Sequence, residues 1–100
     1  MRLEKLADAL YALRGGFGLD GTDVMVLGDV MRLKKSAGEV TIMEIVDGAC
    51  AASPATIHAR IKRLCDEGLL AKVEREGNMR YKLLEQGPRY IELVKILGEI

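Results

Sequence analysis

One stretch, from Thr41 to Lys82, limits this chain more than any other: a short apolar helix, a turn, a basic amphipathic helix, then two short strand-like runs around a Gly-Asn turn. That order predicts a winged helix-turn-helix, in which one helix fits a major groove and a hairpin lies beside it on the phosphates. The basic helix is well punctuated. Ser53 is a strong N-cap, and Pro54 sits at the first helical position, where its missing N–H is no loss. Ile57, Ile61 and Leu64 follow at i, i+4, i+7 and form one stripe, and Gly68 ends the segment. At roughly 100° per residue, Ala55, Thr56, Ala59, Lys62 and Arg63 point away from that stripe, with His58 and Arg60 on its flanks. The outer face is therefore small near its start and basic further along. Small side chains admit close approach to a groove, Ser53 and Thr56 suit base edges or phosphates, His58 or Arg60 can add to base discrimination, and Lys62 and Arg63 suit phosphates.

Upstream, Thr41 and Glu44 are spaced as a capping box, with Ile42, Ile45 and Val46 on the apolar side of a short helix. Downstream, Leu70 to Glu74 and Met79 to Leu84 read as two strands, with Leu70, Val73, Tyr81 and Leu83 as their apolar members. Glu76-Gly77-Asn78 supplies the turn. Lys72, Arg75, Asn78, Arg80 and Lys82 make this hairpin, the wing, polar and basic. A turn needs Gly and Asn but not two flanking arginines, so Arg75 and Arg80 are expected on phosphates or in a minor groove.

These residues resemble the MarR family of winged-helix transcription regulators. The resemblance rests on Leu19–Leu27 opening one helix, on Glu39–Ile45 opening the next, and most heavily on Ser53–Leu70. It spans about Leu19 to Val94. It implies a homodimer on a pseudo-palindromic operator in double-stranded DNA, with the Ser53–Gly68 helix as the recognition helix and Ser53 and Thr56 at DNA-facing positions. Two departures from the family pattern stand out: a shorter wing without an acidic-arginine tip, and Ala59 where the family often carries arginine. In this family a small-molecule effector would sit between the dimer helices and the DNA-binding lobe. No polar cluster in the sequence identifies one.

At 100 residues the chain is read as a single domain. The expected fold class is α+β and mostly helical: a winged helix-turn-helix (19–86, wing 70–84) flanked by dimerisation helices (1–18 and 87–100). Net charge is zero, but Ser53 to Lys82 holds seven Lys/Arg against four Asp/Glu, and local charge sets the field at a docking face. At the N-terminal end Leu3, Leu6, Leu10 and Leu13 recur at heptad spacing beside Ala7 and Tyr11, before Gly15-Gly16-Phe17-Gly18 breaks the helix. At the other end Pro88 opens a segment in which Tyr90, Ile91, Leu93, Val94, Ile96, Leu97 and Ile100 leave few polar faces. A helix apolar nearly all round must be covered. Dimerisation through Leu3, Leu6, Leu10, Leu13, Tyr90, Val94 and Leu97 is the natural solution. Between these ends and the basic helix, a core helix is expected from about Gly21 to Ser36, capped by Asp20.

Other classes fit poorly. The chain carries one His and two Cys without metal-ligand spacing, so neither a metal nor a cofactor is expected. Cys50 and Cys65 read as small buried thiols in a reducing compartment. The only Gly-rich stretch follows a helix, not a strand, and Asp66-Glu67 diverge around a helix, so no enzyme is expected. No apolar leader or membrane span is visible, which points to the cytoplasm. The leading expectation is a sequence-specific DNA-binding regulator, a repressor acting as a homodimer. The rival is a winged helix used purely as a protein-interaction module.

Overall fold

The computed structural model describes residues 2–48, 52–73 and 83–98. Among these, the chain runs α1 (Leu3–Phe17), α2 (Gly21–Ala37), α3 (Ile42–Gly48), α4 (Pro54–Asp66), β1 (Leu70–Val73), β2 (Leu83–Gln86) and α5 (Tyr90–Gly98). This is the mostly helical winged helix-turn-helix expected from the sequence.

The two capping boxes fix where the lobe's helices begin. At α3 the Thr41 N–H donates to Glu44 Oε1 at 3.2 Å, and the Glu44 N–H donates back to Thr41 Oγ1 at 3.2 Å. At α2 the sequence indicated Asp20 alone. The structure adds Asp23: its N–H donates to Asp20 Oδ1 at 2.9 Å, while the Asp20 N–H donates to Asp23 Oδ2 at 3.1 Å. Acids here also suit the positive end of the helix dipole.

Three local expectations are corrected. Gly15 and Gly16 do not break α1, which continues to Phe17; Phe17 is buried, and the helix stops at Gly18, whose φ of 68° is left-handed. The second strand does not end at Leu84 but continues to Gln86, because the register pairs Leu70 with Gln86 and Val73 with Leu83. Its core residue is Leu84, fully buried, whereas Leu83 is only half-buried. Leu84 is drawn inward because its N–H donates to the Val40 carbonyl at 2.8 Å while Leu83 bridges Thr41. The hairpin base is thereby stitched to the α2–α3 connection. The expected turn residues of the wing lie outside the described residues.

The core is aliphatic. Val30, Val40, Ile45, Ile57, Ile61, Leu64, Leu69, Leu70 and Leu84 form its centre, and α4 packs on α2, α3 and β1. The chain returns from β2 across the end of α4: the Gly87 N–H donates to the Leu69 carbonyl at 3.0 Å and the Arg89 N–H to the Gly68 carbonyl at 2.8 Å. A Cβ at Gly87 would collide with the Gly68 carbonyl, so only glycine permits this crossing. Arg89 then locks α5 in place. Its guanidinium lies 4.8 Å from the Phe17 ring centroid and donates to the Glu67 carbonyl at 3.3 Å. Helices α1 and α5 pack together on this side of the molecule.

Candidate nucleic acid interface

Helix α4 begins as its sequence requires. Ser53 is extended, Pro54 follows at the first turn, and Ser53 Oγ accepts the Thr56 N–H at 3.3 Å. The two hydroxyls, Ser53 Oγ and Thr56 Oγ1, share a hydrogen bond at 3.0 Å. Ile57, Ile61 and Leu64 are buried, so the helix is keyed to the core by the expected stripe. The opposite face is open: Ser53, Ala55, His58, Ala59, Lys62 and Arg63 are exposed and Thr56 is half-buried. Ala55, Thr56, Ala59, Arg60 and Arg63 line a shallow hollow on this surface. Lys72 is exposed on β1, next to α4. Arg75, Asn78 and Arg80, expected at the wing, lie outside the described residues.

Arg60 and Arg63 do not join that open face as free cations. Arg60 Nη1 donates to Asp20 Oδ2 at 2.6 Å and to Asp23 Oδ1 at 3.3 Å. Arg63 Nη2 donates to the Gly18 carbonyl, and its Nε lies 3.6 Å from Asp23 Oδ2. Asp23 is wholly buried. The Asp23 N–H, then the Arg60 guanidinium, hold the Asp20 carboxyl below the usual aspartate range against partial desolvation. Hydrogen bonding to Asp20 keeps Arg60 still more firmly protonated. Two cations placed by sequence on the duplex side are thus turned toward the α1–α2 corner. Their partners are 37 to 45 positions away, so helical periodicity alone gave no sign of them.

The terminal helices show the complementary pattern. Leu3 is 80% exposed, Tyr11 74% and Ile91 66%, with Leu6, Leu10, Val94 and Leu97 also open. Tyr90 is half-buried. Leu13 differs from the other expected interface residues: at 4% exposure it belongs to the core of its own chain and has little surface left to offer. Between these helices and α2 lies an apolar cavity of about 190 Å³, lined by Leu13, Val24, Leu27, Met31, Tyr90 and Leu97 among others. Cys65 is half-buried on α4, where burial raises its thiol pKa; Cys50 lies outside the described residues. Among the described residues there is no cluster that could hold a metal ion, and no helix is long and apolar enough to cross a membrane.

No family profile and no curated protein sequence matches the chain. Solved structures do. A MepR mutant from S. aureus, bound to an oligodeoxyribonucleotide, superposes with a TM-score of 0.72 at 16% identity, over 96% of this chain and 67% of that one. The transcriptional regulator Tm0710 from Thermotoga maritima gives 0.68 at 19%, over 96% and 63%. The YusO protein from Bacillus subtilis gives 0.65 at 18%, over 95% and 64%. The chain spans about two thirds of the length of these proteins. At such identities the likeness is one of fold, and the fold is the winged helix of the MarR-type transcription regulators.

Proposed function

We propose that this protein is a sequence-specific, double-stranded DNA-binding transcription regulator, a repressor that grips a pseudo-palindromic operator as a homodimer. The observation that carries the reading is the outer face of α4: exposed, small at its N-terminal end, with Lys62 further along, and next to a hairpin. Two such helices would enter successive major grooves about 34 Å apart. Ser53, Thr56 and His58 would meet base edges, and Ala55 and Ala59 would let the helix approach them closely. Lys62 and Lys72, with Arg75, Asn78 and Arg80 of the wing, supply backbone contacts. The exposed apolar side of α1 and α5, above all Leu3, Leu6, Leu10, Val94 and Leu97, is the surface through which the two copies would join. A DNA-bound protein of the same fold supports the partner class.

The internal pairing of Arg60 and Arg63 sharpens the expected salt response. Lys62, Lys72, Arg75 and Arg80 from two protomers would neutralise about eight phosphates, giving a slope of log K against log salt near −7; adding Arg63 would steepen it to about −9. The direct experiment is a gel shift of the purified chain on random genomic fragments at low salt, followed by the same titration with Lys62→Ala and Arg75→Ala. Each substitution is expected to weaken binding to all sequences alike and to flatten the slope by about 2 per dimer. The same neutralised arginines favour the rival, a protein-interaction module, and no shift at micromolar protein would select it.

A further inference from the structure

Helix α4 carries three cations in four residues, Arg60, Lys62 and Arg63, yet the structure divides them. Lys62 faces outward, while Arg60 and Arg63 converge on Asp20, Asp23 and the Gly18 carbonyl. We infer that Arg60 and Arg63 are positioning residues that fasten the recognition helix to the α1–α2 corner and stay fastened when DNA is bound. This deepens the DNA-binding reading above and rests on it.

Three features carry the inference. The Asp23 carboxylate is wholly buried, and Arg60 and Arg63 are its cationic neighbours. Moving either arginine out to a solvated phosphate would leave that carboxylate under-paired in a low-dielectric site, and a buried charge deprived of its partner costs far more than an exposed ion pair returns. Next, Asp20 and Asp23 cap α2 with the same carboxylates that hold Arg60. Cap and ion pair form one network, in which each bond orients the groups needed by the other. Last, Arg63 donates to the carbonyl of Gly18, the C-cap of α1, where a cation also meets the negative end of the helix dipole. The two arginines therefore bind α4 at once to the end of α1 and to the start of α2. If two copies join through α1 and α5, this corner sets how far apart their α4 helices stand.

The test uses the full chain and the duplex it selects from a randomised pool. Arg60→Gln and Arg63→Gln are expected to weaken binding roughly tenfold with the salt slope unchanged. They should also erode discrimination against the same duplex with one base pair inserted between the half-sites. Asp20→Asn retains an N-capping side chain and removes the charge, so it guards against a variant that fails to fold; it too is expected to weaken binding. A slope flattened by about 2 per dimer, unchanged spacing discrimination, or unchanged or tighter binding by Asp20→Asn would overturn the inference. Amide hydrogen exchange of the DNA-free protein supplies the independent arm. Arg60→Gln should speed exchange in α4 and the first turn of α2 but not in α5, and equal rates would overturn the fastening. Should the wild-type chain select no duplex, the DNA-binding reading falls, and hydrogen exchange alone decides whether the arginines fix α4.

Discussion

The winged-helix lobe and the terminal helices treat their own surfaces in opposite ways. The lobe closes on itself: Val30, Leu64, Leu69 and Leu84 are fully buried, α2 and α3 carry reciprocal caps, and Arg60 and Arg63 meet their acids within the chain. The α1–α5 pair instead leaves Leu3, Leu6, Leu10, Tyr11, Ile91, Val94 and Leu97 open to water. A scattered exposed leucine is ordinary, but seven large apolar side chains left open on two packed helices are more than scatter and fit the proposed dimer surface. The lesson is a division of labour: one region satisfies its groups internally, and the other keeps apolar surface that the proposed homodimer would cover.

The largest effect that would sharpen this contrast lies in the lobe. Leu64→Ala is expected to lower unfolding free energy by about 2–5 kcal/mol in a urea titration, whereas Leu3→Ala should barely move it under conditions where the chain is monomeric. Comparable losses from both would erase the distinction. Next comes association. The double substitution Leu10→Glu with Val94→Glu should halve the mass measured by sedimentation while circular dichroism keeps its helical signal; a wild-type chain that is already monomeric at tens of micromolar would break the comparison. A smaller effect tests the seam between the regions. Arg89→Ala removes the guanidinium from Phe17 and from the Glu67 carbonyl, for an expected loss of about 1 kcal/mol after allowance for its partial exposure. A loss below experimental error would mean that α5 is held by its apolar contacts alone.

The smallest effect is electrostatic. Because the folded-state pKa of Asp20 is depressed, its contribution is fully present above the unfolded value of about 3.9 and is lost as the pH falls through the lower folded value. The contribution of so exposed a carboxylate should stay under about 1 kcal/mol. Thermal unfolding across that acid range should therefore show a slightly weaker pH dependence in Asp20→Asn than in the wild type. Identical profiles would remove Asp20 from the network.

Much of the fold was legible because its signals are local. Ser53 and Pro54 start α4, Ile57, Ile61 and Leu64 key it to the core, and Thr41 with Glu44 opens α3, all within a few residues of one another. Register in the hairpin was not legible in the same way. Which of Leu83 and Leu84 turns inward is decided by the bond from Leu84 to Val40, more than forty positions away, and alternation in a four-residue strand is too short to overrule it. Gly15 and Gly16 suggested a break, but the burial of Phe17 carries α1 through them. The candidate interface divided along the same line. The small outer face of α4 follows from helical geometry. The commitment of Arg60 and Arg63 depends on where α2 begins in space, and no spacing within α4 encodes that. Among the described residues, a signal was present only in the pairing of Asp20 with Asp23 three positions later, a reciprocal cap that also gathers two carboxylates at one helix start.

The central claim is that a pair of α4 helices reads a duplex. Its most direct measurement is a hydroxyl-radical footprint of the purified chain on the DNA fragment it selects from a genomic library. The predicted result is two protected stretches, related by approximate two-fold symmetry and centred about one helical turn apart on one face of the DNA. A single unsymmetrical patch, or no protection at protein concentrations that saturate the salt-sensitive gel shift, would contradict it.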